Sequence, residues 1–380
     1  LRGEPEGALG LYVHVPFCEA KCAYCHFAID PRRPGEQRQE RYLQAVLAEM
    51  EAERPGRADT LYFGGGTPSL MAIPRLARLV ERARDRFRLP PGAEVTLEAN
   101  PRDLEPAAYG ELLALGVNRL SLGAQSFDGG VLRAMGRHHV VADSARAVDR
   151  ARAAGFANVS IDVILGWPGE SHERWRAGLD ALLELEPDHV SLYVLEVEGR
   201  NLLAHRRLQG TLDLPDDDLV AELYRETVDH LGARGLERYE ISNFARPGRA
   251  SRHNLKYWSE APFVGFGMSA HSFRGRRRWW NEDRYATYCR AVEKGHGAAA
   301  GERTLSDLEL AQEALMTGLR RAGGVDLSAF RRRHRFDPMQ RWKGPLAEVE
   351  EAGLVEVVSA HLRLTERGLL VSNEVFRIFV

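Results

Sequence analysis

The chain is poor in cysteine, nearly devoid of lysine, and lacks any long apolar run. Four cysteines in 380 residues are too few for a disulfide scaffold. No apolar stretch approaches the ~20 residues of a membrane-spanning helix. A net charge of −2 gives no global field that would gather nucleic acid. The basic residues are almost all arginine, with lysine only at Lys21, Lys256, Lys294 and Lys343. Low-complexity repeats are absent. A hydrophobic content of 44% suffices for one large core and a small second one. No secretory leader is legible, so a reducing, cytoplasmic setting is expected.

Where the cysteines fall matters more than their number. Cys18, Cys22 and Cys25 form a C-x3-C-x2-C run directly after the strand-like segment Tyr12–Val15. Thiolates are the usual ligands of iron–sulfur clusters, and a [4Fe–4S] cube normally takes four. Three from one loop would leave one iron open to a molecule offering an amine and a carboxylate, as S-adenosylmethionine does. The alternative is zinc on Cys18, Cys22, Cys25 and His26, a Cys3His set. There the adjacent Cys25 and His26 would both have to turn toward one ion.

Apolar runs of strand and helix period alternate along the first two-thirds of the chain. Strands are expected at Leu11–Val15, Thr60–Phe63, Glu94–Glu98, Arg119–Gly123, Val159–Ile164 and His189–Leu195. Helices are expected over 40–52, 74–87, 106–115, 142–153 and 173–185, with Gly116 and Gly155 as stops. Such alternation predicts an α/β fold with a parallel sheet, six units making an open, partial (β/α)6 barrel. The expected organisation is a barrel over 1–245, an aromatic and arginine-rich connecting region over 246–303, and a winged-helix-like domain over 304–380. Its hairpin would lie at 354–358 and 361–364, with a last helix from Thr365. Winged helices often bind DNA, but the near-neutral charge argues against a nucleic-acid partner.

In parallel α/β architectures chemistry gathers at the C-terminal ends of strands. Gly64-Gly65-Gly66-Thr67 follows the second strand, where backbone can approach a ligand closely or simply turn tightly. Glu98 ends the third strand, Gln125 follows the fourth, and Asp162 sits inside the fifth. A carboxylate in an apolar strand is costly unless paired. Together with the thiol loop these polar groups suit a ligand bearing an amine, a carboxylate, ribose hydroxyls and an adenine.

The chain as a whole resembles the coproporphyrinogen-oxidase-like branch of the radical S-adenosylmethionine superfamily, and within it the HemW-type heme chaperones. The resemblance runs from Tyr12-Val-His-Val-Pro-Phe-Cys18 through Gly64-Gly-Gly-Thr-Pro-Ser69, Glu98-Ala-Asn-Pro101, Gly123-Ala-Gln-Ser-Phe127 and Asp162-Val-Ile-Leu-Gly-Trp-Pro168. It continues in Tyr239-Glu-Ile-Ser-Asn-Phe-Ala245, His253-Asn-Leu-Lys-Tyr-Trp258 and Leu364-Thr-Glu-Arg-Gly368. It implies a [4Fe–4S] cluster on Cys18, Cys22 and Cys25. It also implies S-adenosylmethionine contacts from Tyr12, Tyr24, Gly65, Gly66, Thr67, Glu98, Gln125, Arg137 and Asp162. A guanidinium such as Arg137 suits a carboxylate. The H-N-x-x-Y-W segment implies heme held by His253, with Tyr257 and Trp258 against the porphyrin; capping and core packing are the plainer roles for these residues.

The expected partners are heme and heme-requiring client proteins, which could be respiratory and membrane-associated, and a homodimer could form. The branch also implies an alternative, an enzyme whose reduced cluster cleaves S-adenosylmethionine to generate a radical. That enzyme would be an oxygen-independent coproporphyrinogen III oxidase or a radical methyltransferase. The oxidases carry a fourth cysteine close behind the third, whereas this chain has His26-Phe27. Relatives are usually acidic where His26 stands and have glycine where Ser269 stands. The tip Arg276-Arg-Arg-Trp-Trp280 could meet a heme propionate, an anionic lipid or an acidic client, or could be a solvated hairpin.

Overall fold

A computed structural model describes residues 7–32, 34–197 and 201–380. Six parallel strands form its centre: β1 (Leu9–Val15), β2 (Ala58–Gly65), β3 (Glu94–Ala99), β4 (Arg119–Gln125), β5 (Val159–Leu165) and β6 (His189–Val194). They lie side by side in chain order. The sheet does not close on itself, so the architecture is the open, partial barrel of alternating strands and helices. The crossover helices Glu36–Ala52, Ile73–Phe87, Pro106–Leu115, Val141–Ala154 and His172–Leu183 differ from expectation only at their ends. Gly116 and Gly155 end two of them at φ 103 and 105, a region open to glycine at little cost.

The central strands alternate strictly. Leu11, Val13, Leu61, Phe63, Val95, Leu97, Leu120, Leu122, Ile161, Val163, Val190 and Leu192 point to the helices and make the main core. The other face carries Tyr12, Tyr62, Glu98, Arg119, Ser121, Asp162, His189, Ser191 and Tyr193. Parallel strands covered on both faces read as near-continuous apolar runs. Here the inner face is polar, so the barrel encloses a polar lumen.

The sheet also extends beyond the barrel. At one edge β8 (Asn243–Ala245) adds antiparallel to β6, and β7 (Glu237–Glu240) pairs antiparallel with β8. At the other, β9 (Phe263–Phe266) pairs parallel with β1. It is followed by β10 (His271–Arg274), β11 (Arg277–Asn281) and β12 (Ala299–Thr304). Residues of the 246–303 region, among them Val264, Phe266, Trp279 and Tyr288, therefore belong to the barrel's own core. Glu49 ties that region to the helix 36–52, accepting from Gly267 N at 2.8 Å, Tyr288 Oη at 2.7 Å and Asn281 Nδ2 at 2.6 Å. Ser269 sits at φ 58, a left-handed position that explains why glycine is at ease there.

The last 75 or so residues form a second unit around Leu315, Phe330, Leu346, Leu362 and Phe379. Three strands, β13 (Val325–Asp326), β14 (Val355–Val358) and β15 (His361–Leu364), pair in the order β13-β15-β14 beside short helices. Ser306 and Glu309 close its first helix, Asp307–Gly318, with a capping box. Thr365 caps the helix Glu366–Leu370 as expected. Among the described residues no helix is long and apolar enough to cross a membrane.

Candidate cofactor site at the mouth of the barrel

The thiol loop leaves β1 at Val15 and is pinned before it reaches the cysteines. Asp30 N donates to Pro16 O at 2.8 Å and Cys18 N to Asp30 O at 3.3 Å. Arg32 and Arg38 both hold the Asp30 carboxylate. His14 Nε2–H donates to Ala28 O at 2.8 Å, leaving Nδ1 to meet Tyr12 Oη at 3.2 Å. On the far side, Ala23 N donates to Met135 O at 3.0 Å and Asn201 Nδ2 to Tyr24 O at 3.2 Å.

The glycine turn after β2 packs directly beneath this loop. A Cβ on Gly66 would lie 2.7 Å from the Pro16 carbonyl carbon and 2.8 Å from Phe17 O, both backbone atoms that cannot step aside. Gly65 has φ 111, and a Cβ there would strike the His14 ring. The triplet thus does more than turn the chain, because it brings two backbone segments together under the thiols.

Thr67 Oγ1 lies 3.4 Å from Cys18 Sγ, and Arg137 Nη1 lies 3.8 Å from Cys22 Sγ. The Arg137 guanidinium also donates to Gly123 O at 2.7 Å and to the Asn100 side chain. Its Nε is buried without a hydrogen-bond partner among the described residues. Gln125, at φ 66, brings its amide beside Gly123 and so beside Arg137. Burial pushes the Cys18 thiol up to about 12, and the Cys25 thiol is raised for the same reason. Both must lose their protons on binding metal.

Among the described residues no three His, Cys, Asp or Glu side chains converge on a point that could hold a single metal ion, so neither the three thiols alone nor a set with His26 closes on one point in this conformation. His26 is exposed and leans on Phe27, ring centres 4.8 Å apart. Three thiols spread around one loop suit the separate corners of a cube. Cys289, the fourth cysteine, is fully buried in the core on the helix Tyr285–Glu293.

Below the thiols the lumen is lined by hydrogen-bonded acids. Glu98 accepts from Tyr62 Oη at 2.8 Å and from Gly65 N at 3.2 Å. Asp162 accepts from Ser121 Oγ at 3.1 Å and Ser160 Oγ at 3.3 Å. Burial pushes Glu98 up to about 7, with the neighbouring Asp162 charge adding to it, and burial also raises Asp162. Tyr12 stacks on Tyr62, centroids 6.2 Å apart. Tyr24 stands edge-on to Trp167. Cys18, Cys22, Cys25, Tyr12, Tyr24, Gly65, Gly66, Thr67, Glu98, Gln125, Arg137 and Asp162 thus gather at the mouth and upper lumen.

His253, Tyr257 and Trp258 sit deeper, with Tyr257 within electrostatic reach of Glu98 and Tyr12. They lie on and just after the short helix Arg252–Tyr257, which plugs the opposite end of the barrel. Glu94, at the start of β3, accepts from Arg252 N and His253 N at 2.9 Å each. His253 is 1% exposed, with Nδ1 2.8 Å from Thr60 Oγ1 and Nε2 2.9 Å from Tyr257 Oη. Burial lowers it to about 3, so it stands neutral with both ring nitrogens engaged. Trp258 lies under the Arg320 guanidinium at 4.2 Å. In this conformation His253 offers no lone pair outward.

The basic tip is an ion-paired hairpin. Arg276, Arg277 and Arg278 are held by Asp307, Glu302 and Glu313, and Trp279 is buried beneath them.

The residues that sequence reasoning passed over are the rest of the polar inner face: Tyr62, Arg119, Ser121, Ser160, His189, Ser191 and Tyr193. Their period-two spacing within parallel strands was the available signal.

Comparison with known proteins defines the class. Residues 12–182 match the Radical SAM superfamily, and residues 305–371 match the HemN C-terminal domain. The structure of coproporphyrinogen III oxidase (HemN) from Escherichia coli, described as a radical SAM enzyme, superposes with a TM-score of 0.84. It shares 24% identity and the match covers 98% of this chain and 90% of that one. At that identity the likeness speaks for the fold.

The curated relatives narrow it. Heme chaperone HemW of Mycobacterium tuberculosis is 38% identical over 98% of this chain and 95% of its own length. HemW of Bacillus subtilis is 34% identical, over 97% and 98%. The mitochondrial radical S-adenosyl methionine domain-containing protein 1 of Mus musculus is 37% identical, over 97% and 87%. The chain belongs to the HemW family of radical SAM proteins. Membership implies a [4Fe–4S] cluster and S-adenosylmethionine, which the thiol loop and acid-lined lumen fit.

Proposed function

We propose that this protein binds heme and passes it to heme-requiring proteins, with a [4Fe–4S] cluster on Cys18, Cys22 and Cys25 and S-adenosylmethionine in the upper lumen. The observation that carries the reading is the loop of three buried or half-buried thiols at the mouth of a polar lumen, in a chain whose full-length relatives are named heme chaperones. When bound, the cluster supplies an open iron and one-electron chemistry. The chain's own groups do the rest. Arg137 grips the methionine carboxylate in this reading, and Gly65 and Gly66, which let the turn pack under the thiols, present backbone to the ligand's polar end. Glu98 and Asp162 accept from ribose hydroxyls and the ammonium, and Tyr12, Tyr24 and Thr67 line the approach. Heme, client proteins and a cytoplasmic setting remain parts of this reading.

His253 serves as heme ligand in this reading only when the 252–257 helix releases its contacts with Thr60 and Tyr257. Hemin titration followed by the Soret band tests it. Thr60→Val removes one partner and is expected to strengthen hemin binding, while His253→Ala abolishes the band. An unchanged band and affinity in both variants would remove His253 from the site. Anaerobic turnover of coproporphyrinogen III with release of 5′-deoxyadenosine would instead assign oxidative decarboxylation to the same lumen.

A further inference from the structure

Arg119, the first residue of β4, is 1% exposed and faces the lumen. Its Nε and Nη1 have no hydrogen-bond partner among the described residues. Its register neighbour on β3, Thr96, is fully buried and its Oγ1 is likewise uncommitted. Glu94, whose carboxylate oxygens accept from the Arg252 and His253 amides, faces the guanidinium as a charge without hydrogen-bonding its Nε or Nη1, and Asp162 acts on it as well. A guanidinium buried this way is costly unless its charge is used. Directly above it on the same face, Ser121 donates to Asp162 and pairs in register with Glu98.

We propose that Arg119 is a positioning residue: its buried guanidinium sets the charge of the lumen floor and favours the ionised forms of Asp162 and Glu98 toward a cationic ligand, the sulfonium and ammonium of S-adenosylmethionine. This rests on the S-adenosylmethionine reading above. The other groups facing the two acids are the Gly65 amide on Glu98, the neutral His189 ring behind Ser160, the Ser121 hydroxyl of β4, and further hydroxyls. Tyr12 comes from β1, Tyr62 from β2, Ser160 from β5 itself, Ser191 and Tyr193 from β6, and Tyr257 from the 252–257 helix. Arg119 is the cation that acts on both acids, and it opposes the rise that burial imposes on each. Guanidinium remains protonated throughout the accessible pH range, so the setting does not itself titrate.

The test uses the full chain with its cluster reconstituted anaerobically, comparing wild type, Arg119→Met and Arg119→Lys. S-adenosylmethionine affinity is measured by calorimetry from about pH 6 to about pH 9, and the protonated-carboxyl infrared band is titrated without ligand, with Asp162→Asn to assign it. Without the positive charge Asp162 holds its proton to higher pH. Arg119→Met is therefore expected to lose roughly tenfold in affinity at neutral pH for each unit by which the shift carries the acid above that pH. The loss shrinks as pH rises, the carboxyl band persists to higher pH, and Arg119→Lys restores both. A loss equal at all pH values, or an unshifted carboxyl band in folded Arg119→Met, overturns the role. If Arg119→Met does not fold, the Arg119→Lys profile decides alone: a wild-type profile supports the role, and one like that of Asp162→Asn overturns it. Failure of the wild-type chain to bind S-adenosylmethionine would sink the ligand assignment and the proposed function with it, whereas the infrared band reports on Arg119 independently.

Discussion

The two ends of the barrel are built on opposite plans. At the C-terminal end of the strands, thiols, an arginine and two acids face a space, and several of their atoms are not consumed by the protein itself. At the N-terminal end, Arg119 and Thr96 apart, the groups packed around the short helix are consumed. Glu94 caps a helix, Lys256 reaches Ala8 O at 2.7 Å and Asp59 Oδ1 at 2.8 Å, and His253 gives both nitrogens to neighbours. Residue types alike in the sequence thus do different jobs, because a polar group can serve a ligand only if folding leaves it capacity. One end is a site and the other is a plug.

The largest expected effect at the upper end is on the cluster itself. Cys22→Ser is expected to lose iron and labile sulfide after reconstitution while the melting curve is little changed, since this half-buried thiol contributes no large packed volume. Retention of both by Cys22→Ser would return the loop to a structural role.

Gly66→Ala should be felt both as stability and as assembly. Its methyl would meet the Pro16 and Phe17 backbone at 2.7 and 2.8 Å, and such overpacking costs about 1–3 kcal/mol. A lowered melting temperature with reduced cluster yield is the expected pair of results. A melting temperature at the wild-type value would show that the loop and turn are not packed as described.

The smallest effect sharpens the contrast in charge. The folded pKa of Glu98 lies near 7, above its ordinary value, through burial first and the Asp162 charge next. Folding therefore favours the protonated form, and its contribution to stability is full at low pH and is lost as pH rises through about 7. Glu98→Gln, which cannot ionise, should melt higher than wild type above that pH and alike near pH ~4. A difference constant with pH would mean that the acid is not buried as the lumen requires.

Much of the barrel was legible because its signals are local. An apolar run of strand length, a helical stripe and a glycine stop depend on neighbours a few residues apart, so Pro106–Leu115 and its stop at Gly116 could be read as they stand. The thiol loop was legible for the same reason. The pairing of β9 with β1 was not, since it joins segments some 250 residues apart and no local pattern records a partner. The arginines of the 276–278 tip could be read as a docking surface or as a solvated hairpin, and the acids that pair them, Glu302, Asp307 and Glu313, come from other segments.

What the sequence settled by itself is the chemistry available: three thiols at fixed spacing, acids at strand ends, glycines where backbones must meet, and a fold class set by periodicity. What only the tertiary structure decided is which of those groups face the lumen and which are spent. His253 became part of a plug and Arg119 part of a lumen floor, because both outcomes depend on strand register and on contacts between distant segments. Those fix hydrogen-bond partners and burial, and with them the charge each group carries.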